Sequence, residues 1–299
     1  MRAALAVAVL VYSAVTGALD TMAPLVIVKL GGSAITRKAT HATLNEAGLA
    51  GVVSAVRAAV DGAARVCVVH GAGSFGHMEA SEYGIAAGTA HPEWRTGFAR
   101  TRQQVTRLNH LVVGAFLDAG LPAVGCSPYP ATSTAAPQVL AEAGGAALAQ
   151  AATAALEAGL VPVFHGDAVL DASQGCSILS GDTLTQVLSE RLKPTCCVFV
   201  ADVDGVYDRP PADPGAVLLR DIRVGADGKL STRVVTRNDH AHDVTGGLEA
   251  KIAAATAVVV ATGAPVHVVK AGSEACAEAV AGSLRPSGGT TIAAAGAGG

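Results

Sequence analysis

The sequence predicts an α/β protein, a three-layer αβα sandwich built around a mainly parallel central sheet. Two observations predict it. Short, continuous apolar runs recur along the chain and most of them end in glycine, and segments with helical spacing separate one run from the next. This is the pattern of parallel strands buried on both faces by crossover helices. The 299 residues, 51% of them hydrophobic, are enough for one large domain of this kind.

The pattern also predicts where the elements lie. The predicted strands are LVIVKL (25–30), RVCVVH (65–70), AVGC (123–126), LVPVFH (160–165), CCVFVA (196–201) and PVHVVK (265–270). The predicted helices cover about 42–60, 97–117, 146–157, 180–192 and 245–263, and Ser180 or Asp182 lies near the start of the fourth. In an open parallel sheet, ligands bind beyond the carboxyl ends of the strands. We therefore look for the functional site in the loops that follow these runs.

Composition excludes several classes of function. The net charge is −3, the 21 Lys and Arg residues are dispersed, and aromatic residues are few, so no nucleic-acid partner is expected. Six cysteines are scattered, mostly within apolar runs, with no CxxC pair and no zinc-ligand spacing. We expect buried thiols in a reducing compartment and no metal site built from protein ligands alone.

The N-terminus differs from the rest of the chain. Residues 3–19 are almost entirely apolar, and Met22 immediately precedes the first predicted strand. Residues 1–22 are interpreted as a dispensable leader or a mis-called start, with a secretion or organelle signal as the alternative. No stable membrane insertion is expected because the run is short for a membrane span. We expect a cytoplasmic domain over 23–294 and a disordered tail over 295–299.

The first candidate motif is KLGGSAITRK, which contains Lys29, Gly31, Gly32, Ser33 and Lys38. A lysine at a strand end, followed by a glycine turn, offers a cation and backbone N–H groups to phosphate oxygens. The motif is not a P-loop, because here the lysine precedes the glycines. Taken alone, the glycines could simply permit a tight turn, and Lys38 could be a surface lysine.

The second candidate motif is HGAGSFGH, which follows the second predicted strand. Its turn offers N–H groups, and His77 lies just beyond it. A lone histidine is more often structural, but this placement favours an anion-binding role. DVTGGLEAK then places Lys251 in the second turn of a helix whose start is rich in glycine, a geometry that suits phosphate. A surface helix lysine is the alternative there.

The acidic candidates leave two kinds of role open. They are Asp167 in HGD, Asp182 in SGD, and Asp202 and Asp204 in DVDGVYD. Each could orient a lysine, contact Mg²⁺ or bind a ribose, or could cap a helix or turn instead. For Asp182 the capping role is well supported by its place at a predicted helix start, and the two roles can coexist.

Taken together and in this order, KLGGS, HGD, SGD, DVDGVYD and DVTGG…K resemble the amino acid kinase superfamily. HGAGSFGH and the spacing of KLGGSAITRK resemble, more narrowly, the isopentenyl phosphate kinases, over nearly the whole chain after the leader. The resemblance implies a homodimer that transfers the γ-phosphoryl group of ATP, with Mg²⁺, to isopentenyl phosphate. It also implies an acceptor-binding lobe to about residue 190 and a nucleotide-binding lobe after it. Arg37 and the N-terminal extension depart from the family pattern.

The resemblance assigns roles motif by motif. The implied catalytic residues are Lys29, His77, Asp182 and Lys251. The implied acceptor-binding residues are Lys38, Gly71, Ala72, Gly73, His77 and Gly166. The implied nucleotide-binding residues are Lys29, Gly31, Gly32, Ser33, Asp202, Asp204, Gly205, Tyr207, Gly246, Gly247 and Lys251. No residue is assigned as a direct metal ligand.

The residue types suit an acceptor that is already an anion. A phosphate monoester needs no base to remove a proton, but two polyanions approaching in line need cations and N–H dipoles between them. Three lysines, a histidine and glycine N–H groups meet that need. The alternatives are a kinase of the same superfamily acting on another phosphate, phosphonate or carboxylate, and a non-catalytic nucleotide- or oxyanion-binding protein.

Overall fold

The computed structural model of the protein describes residues 23–37, 39–232 and 247–296. Its strands are β1 (Leu25–Leu30), β2 (Arg65–His70), β3 (Ala123–Cys126), β4 (Thr134–Ala136), β5 (Val139–Leu140), β6 (Val161–His165), β7 (Asp167–Asp171), β8 (Gly175–Leu179), β9 (Cys196–Ala201), β10 (Asp221–Val224), β11 (Val266–Lys270) and β12 (Thr290–Ala294). Its α-helices are α1 (Gly32–Ile35), α2 (Glu46–Asp61), α3 (His77–Glu82), α4 (Trp94–Asp118), α5 (Glu142–Glu157), α6 (Gly181–Leu192), α7 (Gly247–Thr262) and α8 (Glu274–Val280). Short 3₁₀ turns cover Gly73–Phe75 and Ile85–Ala90.

Eight strands form the central sheet, in the order β10-β12-β11-β9-β1-β2-β6-β3. Every pairing in this sheet is parallel except that of β11 with β12. The prediction of a mainly parallel sheet is confirmed. The six predicted strands all occur, and each lies within one residue of its predicted bounds.

Helices cover both faces of the sheet, which confirms the three-layer prediction. Along β1, Val26 and Val28 pack into a core with α2, α4 and α8, whereas Ile27 packs into a second core with α5, α6 and α7. Neighbouring side chains of a strand point to opposite faces, so a strand that is apolar at every position must be covered twice. All six residues of β1 are buried accordingly.

Part of the fold was not predicted from the sequence. A second sheet, in the order β5-β4-β7-β8, contains the antiparallel hairpin of β7 and β8. The predicted strand around LVPVFHGD therefore continues past Gly166 into this hairpin. Helix α4 is also longer than predicted and begins at Trp94.

The structure also bears on the expectations for the cysteines and for membrane insertion. All six cysteines are unpaired, and five of them are buried, in agreement with the interpretation as buried thiols. Within the three described ranges, no helix has both the length and the apolar character needed to cross a bilayer. Residues 1–22, Lys38 and Gly246 lie outside the described residues, as does the turn DVTG at 243–246.

Candidate active site

The centre of the candidate site is an ion pair between a strand and a helix. Lys29, the fifth residue of β1, places its Nζ 2.8 Å from Asp182 Oδ1. Lys29 is only 5% exposed, and its ammonium lies 5.7 Å from the centre of the Phe199 ring. Burying a lysine is costly unless its charge is paired. Asp182 is that partner, and the pair fixes the lysine at the carboxyl edge of the sheet.

The structure decides the role left open for Asp182. Helix α6 is capped by Ser180, whose Oγ accepts a hydrogen bond of 3.0 Å from Thr183 N–H. The capping interpretation of Asp182 is therefore wrong. With the cap supplied by Ser180, the carboxylate in the first turn of α6 remains available to orient Lys29.

The glycine turns after β1 and β2 contact each other through their backbones. A Cβ added at Gly32 would lie 2.6 Å from Gly73 Cα and 2.7 Å from Gly73 N. Gly73 itself has φ +53°, a left-handed conformation that favours glycine. Both positions thus need glycine for physical reasons, and the requirement places the two predicted phosphate-binding turns side by side.

One hydroxyl side chain, that of Thr36, joins the same turns. Thr36 Oγ1 donates to Gly32 O over 2.7 Å and accepts from Ser74 N–H over 3.0 Å. Thr36 is buried and was not singled out from the sequence. Its isolated position after KLGGSAI carries no motif, and only the folded geometry shows that it bridges the two turns.

His77 is the first residue of α3 and is half-buried. It lies immediately after the second glycine turn, as the spacing predicted. Gly71 N–H donates to Leu30 O over 3.1 Å, and Gly166 N–H donates to His70 O over 2.9 Å. These bonds draw the ends of β1, β2 and β6 together and bring Gly71, Ala72, Gly73 and Gly166 to one edge of the sheet.

The sequence model that defines the amino acid kinase family matches residues 24–270 of the chain. The chain belongs to the amino acid kinase family. Its β1–Gly31–Gly32 turn and its Lys29–Asp182 pair are therefore parts of a kinase scaffold.

Within this family, the chain is similar to proteins named isopentenyl phosphate kinase. It is 43% identical over 232 residues to the one from Arabidopsis thaliana, a match that covers 74% of this chain and 68% of that protein. It is 32% identical over 232 residues to the one from Thermoplasma acidophilum, covering 76% and 84% of the two chains. A solved structure of isopentenyl phosphate kinase superposes with a TM-score of 0.72 at 32% identity, covering 90% of this chain and 99% of that one.

On the other side of Lys29, the acidic turn after β9 faces the first glycine turn. Ser33 Oγ donates to Asp202 Oδ1 over 3.0 Å, and Gly31 N–H donates to Val200 O over 2.9 Å. Asp204 accepts from Tyr207 Oη over 3.2 Å. Seven of the predicted nucleotide-binding positions therefore follow the adjacent strands β1 and β9: Gly31, Gly32, Ser33, Asp202, Asp204, Gly205 and Tyr207.

Contacts from other elements complete the surroundings of these two loops. Gly205 packs closely on Thr290, because an added Cβ would lie 2.5 Å from Thr290 Oγ1. Gly247 is the first residue of α7, and Lys251 lies half-buried in the second turn of that helix. Lys270, at the end of β11, places its Nζ 3.7 Å from Asp204 Oδ1. Lys270 was missed because a single lysine after an apolar strand has no motif of its own.

Within the described part of the chain, the charged partner of Asp167 is an arginine. Arg102 Nε, from α4, lies 3.2 Å from both of its carboxylate oxygens, and Ala168 N–H donates to Oδ1 over 2.9 Å. Burial raises the pKa of the Asp167 carboxyl, while Arg102 acts in the opposite direction. Because Arg102 also bonds to Ser127 Oγ and Tyr129 O, Asp167 anchors α4 to the loop after β3.

Proposed function

We propose that this chain transfers the γ-phosphoryl group of ATP to isopentenyl phosphate and forms isopentenyl diphosphate. The observation that carries the proposal is the backbone contact between Gly32 and Gly73, beside the Lys29–Asp182 pair. A nucleotide turn and an acceptor turn in contact would hold two phosphate groups within reach of one buried lysine. The names of the similar proteins supply the acceptor.

In the proposed reaction, an oxygen of the acceptor phosphate attacks the γ-phosphorus of ATP. A bond forms between that oxygen and the γ-phosphorus, the bond from the γ-phosphorus to the β–γ bridging oxygen breaks, and ADP leaves. The acceptor is an anion and loses no proton to the protein in this step. The protein must therefore reduce the repulsion between two polyanions as they approach.

We assign that task to Lys29 and Lys251 on the transferred group and to His77 on the acceptor. Asp182 orients Lys29 and does not serve as a base, since its Oδ1 lies against the lysine ammonium. Lys38, outside the described residues, is proposed for the terminal phosphates. Asp202, Asp204 and Tyr207 are proposed to border the nucleotide.

Mg²⁺ is proposed to enter with ATP. This ion is usually held by substrate phosphates, by water and by one or two carboxylates, not by a complete protein cage. The residues present fit that arrangement, because Asp182 and Asp202 flank the first glycine turn. Bound there, the ion would neutralise charge on the phosphates.

The acceptor tail is proposed to lie against a small apolar cluster beside α3. Tyr83, Trp94, Phe98 and Ile178 are partly buried around Ile85. Phe75 and Ile85 are fully buried and serve as core. Each buried CH₂ of a tail would contribute about 0.8 kcal/mol, so a five-carbon chain gains enough to distinguish it from inorganic phosphate.

A coupled assay of ADP release tests the proposal. The acceptors are isopentenyl phosphate, dimethylallyl phosphate, longer prenyl phosphates, glutamate and fosfomycin, each with Mg·ATP. We expect the highest kcat/KM with isopentenyl phosphate and none with glutamate. Absence of turnover with every prenyl phosphate would overturn the proposal. A homodimer and a cytoplasmic location are proposed with it, to be checked by light scattering and cell fractionation.

A further inference from the structure

Two histidines that open the HGAGSFGH and HGD motifs, and that were assigned no role of their own, lie beneath the proposed acceptor site. His70 is the last residue of β2 and His165 is the last residue of β6, and both are fully buried. Their rings are stacked, with centroids 5.7 Å apart and planes 29° from parallel. β2 and β6 are neighbours with His70 directly beside His165, so the pairing of the strands sets the stack.

Each ring holds the peptide that follows it. His70 Nδ1 lies 2.9 Å from Gly71 O, and His165 Nδ1 lies 3.0 Å from Gly166 O. A carbonyl oxygen only accepts, so Nδ1 carries the hydrogen in both rings. Asn109 Nδ2, from α4, lies 3.1 Å from His70 Nε2 and 3.0 Å from Val163 O. Because the amide nitrogen donates, His70 Nε2 is the acceptor, and the neutral Nδ1–H tautomer is fixed from both sides.

The environment keeps the stacked rings uncharged. Burial lowers the pKa of His70 to about 3, with the neighbouring His165 acting in the same direction. Burial also lowers the pKa of His165. An imidazolium at His70 would present a hydrogen from Nε2 to the donating amide of Asn109, so the contacts themselves disfavour protonation.

The hydrogen bond from His70 to Gly71 O also sets the direction of the next N–H group in the glycine turn. In a trans peptide the C=O and N–H groups point in opposite directions. Since Gly71 O is held by the buried ring of His70, the N–H of Ala72 points away from the ring and out of the protein interior. In the part of the chain that the structure describes, neither Ala72 N–H nor Gly73 N–H donates to a protein oxygen.

We propose that His70, with His165 stacked against it, is a positioning residue, which holds the Gly71 carbonyl inward so that the Ala72 N–H is presented to the acceptor phosphate. The inference rests on the proposed function, because it assumes that the anion at this turn is the acceptor. The histidines neither touch the substrate nor exchange protons with it. His70 acts through the direction of the peptide bond between Gly71 and Ala72.

A matched pair of substitutions tests the role of His70. Asparagine places an amide N–H where Nδ1 stands, whereas glutamine extends its amide toward the position of Nε2. We expect His70→Gln to raise the KM for isopentenyl phosphate by about tenfold, the effect of one misdirected hydrogen bond to a charged group. His70→Asn should restore the KM to within about threefold of the original value. The KM for ATP should be unchanged in both variants.

A spectroscopic measurement on the unsubstituted protein tests the inference without catalysis. With ¹⁵N-labelled histidine, we expect the ring resonances of His70 and His165 to report neutral Nδ1–H tautomers, assigned by their loss in the single variants. An Nε2–H tautomer at His70 would overturn the inference. So would equal acceptor KM values in the asparagine and glutamine variants, or a parallel rise in the KM for ATP. Absence of isopentenyl phosphate turnover in the unsubstituted enzyme would instead overturn the proposed function, and this inference with it.

Discussion

Lys29 Nζ and Asp182 Oδ1 lie 2.8 Å apart, although the two residues are 153 positions apart in the chain. The pair joins the central strand β1 to the first turn of α6. Both side chains are largely withdrawn from solvent, so in the proposed reaction the lysine would meet the phosphate already desolvated and already oriented. Interactions of this kind stabilise developing charge without reorganisation during the reaction.

Removing the charge of Lys29 should abolish most of the activity. We expect Lys29→Met to lower kcat/KM for isopentenyl phosphate by about 10²–10³-fold, the size typical of one lost electrostatic contact in a transition state. Steady-state kinetics measure the effect. Lys229→Met is the control, because the Lys229 side chain is exposed and forms a surface ion pair with Asp227. Activity of the Lys29 variant equal to that of the control would contradict the assignment.

His77 is predicted to bind the acceptor phosphate and not to remove a proton. His77→Ala should therefore lower kcat/KM by about 10²-fold, as the loss of one donor to an oxyanion does. His110→Ala, at an exposed position on α4, provides a matched control that should keep full activity. A rate close to that of the unsubstituted enzyme in the His77 variant would remove the residue from the site.

The contact between the two glycine turns makes a sharper steric prediction. In Gly32→Ala the new Cβ would meet Gly73 Cα at 2.6 Å, and neither backbone can rotate away as a side chain could. We expect the turns to separate and kcat to fall by about tenfold or more, since catalysis depends on the alignment of the reacting groups.

Gly114→Ala is the matched control for that substitution. Gly114 lies within α4, and nothing lies within 4 Å of an added Cβ. This variant should keep its activity and gain about 0.5–1 kcal/mol of stability from the better helix propensity of alanine. Equal kcat values in the two glycine variants would show that the turn contact is not needed for catalysis.

The buried histidines predict a loss of stability in mild acid. Burial lowers the pKa of His70 to about 3 and that of His267 to about 4, and it also lowers the pKa of His165. Below the ordinary histidine pKa of 6.5, the unfolded chain binds protons that the folded chain does not. The free energy of unfolding should therefore fall as pH decreases, by up to about 1.4 kcal/mol per pH unit for each such histidine.

Urea unfolding at several pH values between about 7 and about 5 measures this slope. His267 is buried and distant in sequence from the site motifs, with Nδ1 3.1 Å from Thr291 Oγ1. His267→Leu should reduce the slope of the free energy of unfolding against pH by up to about 1.4 kcal/mol per pH unit, the contribution of one histidine. An unchanged slope in that variant would show that His267 is not neutral in the folded protein.

Much of the central sheet could be predicted because a strand buried on both faces has a continuous apolar sequence. LVIVKL and CCVFVA are apolar at nearly every position, and that pattern does not depend on which strands are neighbours. The hairpin of β7 and β8 has a weaker sequence pattern. Its residues DAVLD and GCSIL carry polar groups such as Asp171, whose carboxylate bonds to Ser173, Gln174 and Thr134. The carboxylate is thus bonded partly within its own turn and partly by Thr134 of a distant strand, and a buried polar residue of this kind gives no clear period in the sequence.

For the candidate site, the sequence by itself determined which residues stand at the strand ends, because glycines and charged residues interrupt long apolar runs there. It could not decide among the partners of each charge. That Asp182 pairs with Lys29 while Ser180 caps α6, that Asp167 binds Arg102, and that Thr36 bridges two turns were all decided by the tertiary structure. The reason is physical: a carboxylate or hydroxyl has several acceptable partners, and only the packing of distant segments determines which of them lies within hydrogen-bonding distance.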